Sequence, residues 1–203
     1  MYSYIFDIGG VLINYDFHKV IENLAGQYEC DLEVLNGLFT YDTLYQVETG
    51  RISCSDFYEG RICRALPGIS YEAWIRAFEE DYTVNAAAFD LMLELKRKGR
   101  KIYILSNLAE FHKIAIERKV PGFFQYCDHN FFSFEMGYHK PEPEIFRTLC
   151  ETIGEKPENC VFFDDVPKNV EGARKAGMKG IVYSDGEMER IREEIRRLEE
   201  ETA

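Results

Sequence analysis

The chain has 203 residues, of which 46% are hydrophobic, 14% aromatic and 30% charged, enough apolar material for a folded core. Its 24 Lys and Arg residues face 36 Asp and Glu residues, and the net charge of -12 disfavours binding to nucleic acid. The longest apolar runs have four residues, whereas a membrane-spanning helix needs about 20, so no membrane partner is expected.

Four short apolar runs, each typical of a buried β-strand, end in polar residues. The runs and the residues that end them are 4–6 with Asp7, 102–105 with Ser106 and Asn107, 161–163 with Asp164 and Asp165, and 180–183 with Ser184 and Asp185. Because these polar residues follow strands directly, the ends of the strands are the first candidates for a functional site.

Helical patterns lie between these runs. One apolar stripe extends from Ala88 to Leu95 and closes at a cationic turn and Gly99, and another extends from Ile145 to Ile153. This alternation predicts an α/β fold, a Rossmann-like parallel sheet core with helices on both faces. Such sheets bind ligands at the carboxyl ends of their strands, where the polar residues lie.

Residues 14–85 interrupt the alternation with helical patterns only. Apolar residues at helical spacing extend from Phe17 to Tyr28 and from Tyr71 to Tyr82, and a third stripe follows Ser53 and Ser55, two candidate N-caps. We therefore predict that residues 14–85 form an inserted, all-helical cap. Residues 1–13 and 86–203 are assigned to the Rossmann-like catalytic core.

The N-terminus and the cysteines indicate the compartment. Residues 1–4 have neither a basic flank nor a long apolar stretch, so a cytoplasmic protein is expected. The six cysteines include no C-x-x-C pair, and we interpret them as reduced thiols that mostly fill the core.

Five polar side chains could meet at one edge of the sheet: Asp7, Ser106, Lys140, Asp164 and Asp165. Each also has a simpler interpretation. Asp7 could be a turn residue, and Ser106 could cap a helix that starts at Asn107. Lys140 could be a solvated surface charge, and the Asp pair could cap a helix over residues 170–175. Adjacent carboxylates at a buried strand end repel unless a cation separates them, so we favour a metal for that pair.

With these residues in place, the sequence resembles the haloacid dehalogenase superfamily of hydrolases. The segments that look like its four motifs are, in order, Phe6-Asp7-Ile8-Gly9-Gly10-Val11, Leu105-Ser106-Asn107, His139-Lys140-Pro141 and Val161-Phe162-Phe163-Asp164-Asp165. The resemblance extends from residue 5 to about residue 183. It implies an Mg²⁺-dependent phosphatase that acts on a small phosphorylated metabolite through an aspartyl-phosphate. The position of the cap is similar to that in a subgroup that includes sugar-phosphate phosphatases.

The resemblance also implies a role for each residue. Asp7 would be the nucleophile and, with Ser106 and Lys140, form the catalytic set. Substrate contacts would come from Gly9, Ser106, Asn107 and Lys140. Mg²⁺ would bind to Asp7, the backbone carbonyl of Gly9, Asp164 and Asp165. Asn169 and Gly172 are assigned to helix capping and close helix packing.

Gly9 departs from the family pattern, because the phosphatases carry there a second Asp that protonates the leaving alcohol. Another group could replace it, with Asp16, His18, Glu48 and His139 as candidates. Alternatively, the leaving group is acidic, as in a sugar 1-phosphate. A third alternative is a regulatory module that binds phosphate or metal without turnover. A metal-independent 2-haloacid dehalogenase is the fourth, and the Asp164-Asp165 pair argues against it.

Overall fold

The structure, a computed structural model that describes residues 2–201, contains a five-stranded parallel sheet in the order β5-β4-β1-β6-β7. Residues 1 and 202–203 of the predicted core lie outside the described residues. A separate two-stranded sheet pairs β2 with β3. The strands are β1 (Ser3–Phe6), β2 (Ile13–Asn14), β3 (Thr83–Val84), β4 (Ile102–Ser106), β5 (His129–Phe132), β6 (Cys160–Asp164) and β7 (Lys179–Val182).

The strand side chains alternate between two apolar clusters, one on each face of the sheet. Tyr4 and Phe6 of β1 enter the larger cluster, whereas Ile5 enters the smaller one with Ile145 and Phe146. All of these side chains are buried, and helices cover both faces, as the continuous apolar runs predict. The fold is therefore the expected Rossmann-like α/β core.

Most described residues outside the strands are helical, and they include one π-helical turn (Tyr58–Ile62) and three short 3-10 turns. The α-helices are α1 (Phe17–Gln27), α2 (Leu32–Asn36), α3 (Tyr41–Glu48), α4 (Cys54–Phe57), α5 (Cys63–Ala65), α6 (Tyr71–Asp81), α7 (Ala86–Arg97), α8 (Glu110–Lys119), α9 (Ser133–Met136), α10 (Pro143–Ile153), α11 (Pro167–Lys175) and α12 (Met188–Glu200). Within residues 2–201, no helix is long and apolar enough to cross a bilayer.

The elements from α1 to α6 form the helical insert. The chain leaves and re-enters the core through the antiparallel pair β2 and β3, in which Ile13 lies opposite Val84. The insert packs tightly on α8, because the rings of Trp74 and Phe78 lie 5.4 and 5.0 Å from the ring of Phe111. One apolar cluster thus runs through both the insert and the core.

Side-chain caps fix where the helices of the insert begin. Asp16 accepts a hydrogen bond from the amide of Lys19 at the start of α1, and Ser53 accepts one from Asp56 at the start of α4. Each cap satisfies an amide that has no partner within its helix. Of the two candidates Ser53 and Ser55, Ser53 is therefore the cap.

Candidate active site

The candidate site lies at the carboxyl edge of the sheet. Strands β1, β4 and β6 are adjacent and parallel, so Asp7, Ser106 and Asp164 emerge side by side. The amide of Asp7 donates to the carbonyl of Phe163 at 2.9 Å, which continues the sheet as far as Asp7. Lys140 reaches the same edge from the loop between α9 and α10.

Asp7 and Lys140 form a buried ion pair at the centre of the site. Nζ of Lys140 lies 2.9 Å from Oδ2 of Asp7, and the two residues are 2% and 7% exposed respectively. Oδ1 of Asp7 accepts the amide of Ile8 at 2.7 Å, and the buried Ser106 hydroxyl lies close enough to lower the pKa of the Asp7 carboxylate. Burial raises the pKa of Asp7 to about 7. The positive charge of Lys140 lowers this pKa, and the negative charge of Asp164 raises it.

Asp164 is the second partner of Lys140 and is fully buried. Its Oδ2 lies 2.6 Å from Nζ of Lys140, while its Oδ1 accepts the amide of Val166 at 2.8 Å. Nδ2 of Asn169 lies 3.1 and 3.2 Å from the two oxygens of Asp164. The assignment of Asn169 to helix capping is therefore wrong, because this side chain holds Asp164. Gly172 does serve close packing, because a Cβ there would lie 2.6 Å from Cβ of Pro141.

The carboxylates of Asp7 and Asp164 raise the pKa of Lys140 above its ordinary value, although burial alone would lower it. The ammonium therefore remains charged in the site. The interpretation of Lys140 as a solvated charge is wrong, and so is that of Ser106 as a helix cap, because α8 begins only at Glu110.

Three carboxylates cluster closely enough to share a cation. One oxygen each from Asp7, Asp164 and Asp165 lies within 4.8 Å of the others. Burial and the charge of Asp164 raise the pKa of Asp165. The carbonyl of Gly9 accepts no hydrogen bond from the described residues, so its oxygen is available as a fourth donor. Hard oxygen donors of this kind fit Mg²⁺.

Gly10 allows Asp165 to approach this cluster. Its φ is +69°, a conformation that favours glycine, and a Cβ there would collide with the Asp165 carboxylate. Gly9 has no such constraint, because its φ is not positive. The two glycines of the first motif therefore differ, and only Gly10 is required by the geometry.

The loop that carries Lys140 is fixed by the side chain of Asn107, which follows β4, and by one from the insert. Oδ1 of Asn107 accepts the amide of Lys140 at 2.7 Å, and Nδ2 of Asn107 donates to its carbonyl at 3.1 Å. Nε2 of His139 lies 2.7 Å from Oε2 of Glu48 in α3. The side chain of Asn107 is thus committed to positioning Lys140, which leaves its backbone amide for the expected contact with substrate.

The four candidates for the missing acid fall into two groups. Asp16 caps α1 and His18 is exposed, so neither lies at the site. Glu48 lines a small cavity together with Gly9, Ser106 and Asn107, and it pairs with His139. The structure thus brings one pair of candidates to the site.

Sequence reasoning missed Tyr15, which lines the same cavity. Burial by surrounding atoms and the carboxylates of Glu48, Asp7 and Asp165 raise the pKa of its phenol to about 12. Its ring packs edge-on against Tyr82, with centroids 5.5 Å apart. In the sequence, the one feature that could have indicated Tyr15 as a site residue is its position two residues after Ile13, close to the glycine turn.

Comparison with known proteins is consistent with this geometry. The sequence profile of the haloacid dehalogenase-like hydrolases matches residues 3–177. A D-ribitol-5-phosphate phosphatase of Bacteroides thetaiotaomicron is 27% identical over 194 residues, with 90% of this chain and 91% of that protein covered. A sesquiterpene phosphatase of Aspergillus oryzae is 27% identical over 184 residues, with 89% of each chain covered.

Solved structures agree over nearly the whole chain. An enzyme of B. thetaiotaomicron, crystallised with magnesium and inorganic phosphate, superposes with a TM-score of 0.80 at 27% identity, covering 92% of this chain and 96% of its own. A hydrolase of Porphyromonas gingivalis superposes with a TM-score of 0.81 at 25% identity, covering 97% and 98%.

Proposed function

Because this chain belongs to the haloacid dehalogenase-like hydrolases, we propose that it is an Mg²⁺-dependent phosphatase that forms an aspartyl-phosphate on Asp7. The observation that supports this most strongly is the convergence of Asp7, Lys140, Asp164 and Asp165 at one edge of the sheet. A dehalogenase without a metal has no need for three clustered carboxylates.

In the first half-reaction, the ionised carboxylate of Asp7 attacks phosphorus and forms an O–P bond. The ester O–P bond breaks, and its electron pair leaves on the alcohol oxygen. Lys140 favours the ionised form of Asp7 against the effect of burial and offsets the charge of the incoming phosphate, and the Ser106 hydroxyl also favours the ionised carboxylate. In the second half-reaction, the oxygen of a water molecule attacks phosphorus, the bond between phosphorus and the Asp7 oxygen breaks, and its electron pair returns to the Asp7 carboxylate. Inorganic phosphate leaves, and the proton of the attacking water passes to the phosphate or to solvent.

The donor set of the site fits magnesium. We propose that Asp7, Asp164, Asp165 and the Gly9 carbonyl would hold the ion, since the three carboxylates cluster while Lys140 pairs with two of them, Asp7 and Asp164. When bound, Mg²⁺ would supply the positive charge that lets a dianionic phosphate approach a carboxylate. The magnesium and phosphate in the related B. thetaiotaomicron enzyme support this assignment.

The substrate class we propose is a small phosphorylated sugar or polyol. The Tyr15 hydroxyl and the Glu48 carboxylate line the cavity beside Ser106, and such polar groups suit the recognition of hydroxyl groups. The D-ribitol-5-phosphate phosphatase is a relative with such a substrate. A sugar 1-phosphate fits the absence of an acid at position 9, because its leaving group is more acidic.

A substrate panel tests this proposal. D-ribitol 5-phosphate, glucose 1-phosphate, glucose 6-phosphate and 2-chloropropionate would be assayed with Mg²⁺ and with excess chelator. We expect hydrolysis of at least one phosphate ester, loss of that activity in chelator and no halide release. Halide release that survives chelation would overturn the proposal in favour of dehalogenation.

A further inference from the structure

We propose that the hydroxyl of Tyr15 donates a hydrogen bond to the leaving oxygen of the substrate, and so replaces the acid that is absent at position 9. This role rests on the proposed phosphatase function and adds a catalytic residue to it. The inference comes from three observations, namely the position of Tyr15 against Gly9, its free hydroxyl and its fixed ring.

The Tyr15 side chain fills the space beside Gly9. A Cβ atom at position 9 would lie 3.4 Å from Cε1 and 4.0 Å from the hydroxyl oxygen of Tyr15. The phenol therefore stands beside the place that the family's second Asp would take.

The other polar side chains that line this cavity already have partners. Asn107 bonds to Lys140 and Glu48 to His139, and the Ser106 hydroxyl interacts with the Asp7 carboxylate. Deeper in the cavity, the Tyr82 hydroxyl pairs with Nδ1 of His112. Within residues 2–201, the Tyr15 hydroxyl makes no hydrogen bond, so it is free to donate to a ligand.

The ring of Tyr15 is held in place although 42% of the residue is exposed. It meets Tyr82 in an edge-to-face contact, with an interplanar angle of 87°, and lies 6.0 Å from the ring of His112. Its neighbours in sequence are Asn14 in β2 and Asp16, the cap of α1. A hydroxyl on a fixed ring can stabilise developing charge with little reorganisation.

The step requires no proton transfer from Tyr15. As the ester O–P bond breaks, its electron pair moves onto the alcohol oxygen, and the hydrogen bond from Tyr15 stabilises that negative charge. Solvent water then supplies the proton, and Tyr15 keeps its own, since a phenol is neutral in this pH range. The stabilisation should matter most when the leaving alcohol is weakly acidic.

The test compares Tyr15→Phe with wild type on two esters, p-nitrophenyl phosphate and whichever alkyl phosphate of the panel wild type hydrolyses best. The ratio kcat/KM is measured because it reports only the steps up to formation of the aspartyl-phosphate. Slow dephosphorylation therefore does not affect it. We expect kcat/KM to fall about 10- to 100-fold for the alkyl ester and less than about threefold for the p-nitrophenyl ester.

Tyr126→Phe is the matched control. Tyr126 is 41% exposed, its ring also meets a neighbour edge-on, and it precedes the amino end of β5, at the opposite edge of the sheet from the site. We expect it to leave both rates unchanged. Circular dichroism and thermal melting would verify that both variants fold.

Equal losses on both esters, or no loss on the alkyl ester, would overturn the role of Tyr15. The double variant Gly9→Asp/Tyr15→Phe supplies a second readout. The new acid should restore hydrolysis of the alkyl ester more than hydrolysis of the p-nitrophenyl ester. If wild type hydrolyses neither ester, the proposed function fails and this role fails with it.

Discussion

Oε2 of Glu48 lies 2.7 Å from Nε2 of His139, and this contact ties the helical insert to the loop that carries Lys140. Both side chains are mostly buried, at 19% and 15% exposed. Across the imidazole, Nδ1 of His139 lies 2.8 Å from the carbonyl of Lys140. The insert thus contributes to the position of a residue in the core.

Glu48→Ala should therefore loosen this connection. We expect the free energy of unfolding to fall by about 1 kcal/mol, because one partly buried polar contact is lost. Glu22→Ala is the control, since Glu22 is an exposed residue of α1 in the same insert. Urea denaturation measures both variants. A change in Glu48→Ala no larger than in the control would contradict a structural role for the contact.

Lys140→Met should damage both stability and catalysis, because it leaves Asp7 and Asp164 buried without their shared cation. We expect the metal-free protein to lose about 3 kcal/mol of stability and hydrolysis to slow by about 100-fold or more. Added Mg²⁺ should recover part of the stability. Lys101→Met, which removes an exposed ion pair with Asp128, should change neither property. Unimpaired hydrolysis in Lys140→Met would refute its assigned role.

Asp165→Ala should weaken the binding of Mg²⁺, because Asp165 supplies one of the clustered oxygens. Isothermal calorimetry with MgCl₂ alone, with no substrate present, should report an affinity lower by about tenfold or more. Glu151→Ala, at an exposed position of α10, removes a carboxylate far from the cluster and should bind like wild type. Equal affinities for all three proteins would argue against a metal ligand at Asp165.

His112 should make stability depend on pH. Burial lowers the pKa of His112 from 6.5 to about 3, so the folded protein holds it neutral. Below pH 6.5 the unfolded chain binds a proton at His112 and the folded protein does not. The free energy of unfolding therefore has its full value above pH 6.5 and declines as the pH falls toward 3. We expect a loss of about 1.4 kcal/mol for each pH unit below 6.5.

The comparison of wild type with His112→Gln isolates this effect, because both proteins share every other titrating group. The difference in unfolding free energy between them, measured in urea from pH 7.5 to 5, should shrink as the pH falls. A difference that stays constant over this range would mean that His112 does not control the slope.

Strands β1, β4, β6 and β7 were predictable because each contains an apolar run that ends in polar residues. Strand β5 was not, because it begins with the exposed His129 and the half-buried Asn130. Of its four residues, only Phe131 and Phe132 are buried, so its sequence has no continuous apolar pattern.

The site residues at strand ends were predictable for the same reason, whereas their partners were not. Asn169 holds Asp164 from the first turns of α11, and an Asn near a helix start is more often a cap. Glu48 and His139 are 91 residues apart, and no local pattern pairs them.

The proposed mechanism requires that Asp7 becomes phosphorylated during turnover. Enzyme mixed with substrate would be quenched in acid and reduced with borohydride, which converts an aspartyl-phosphate to homoserine, and the peptide that contains residue 7 would be analysed by mass spectrometry. We expect homoserine at position 7 in wild type, and none in Asp7→Asn or without substrate. Rapid hydrolysis with no homoserine at position 7, or with homoserine at Asp164 or Asp165 instead, would contradict it.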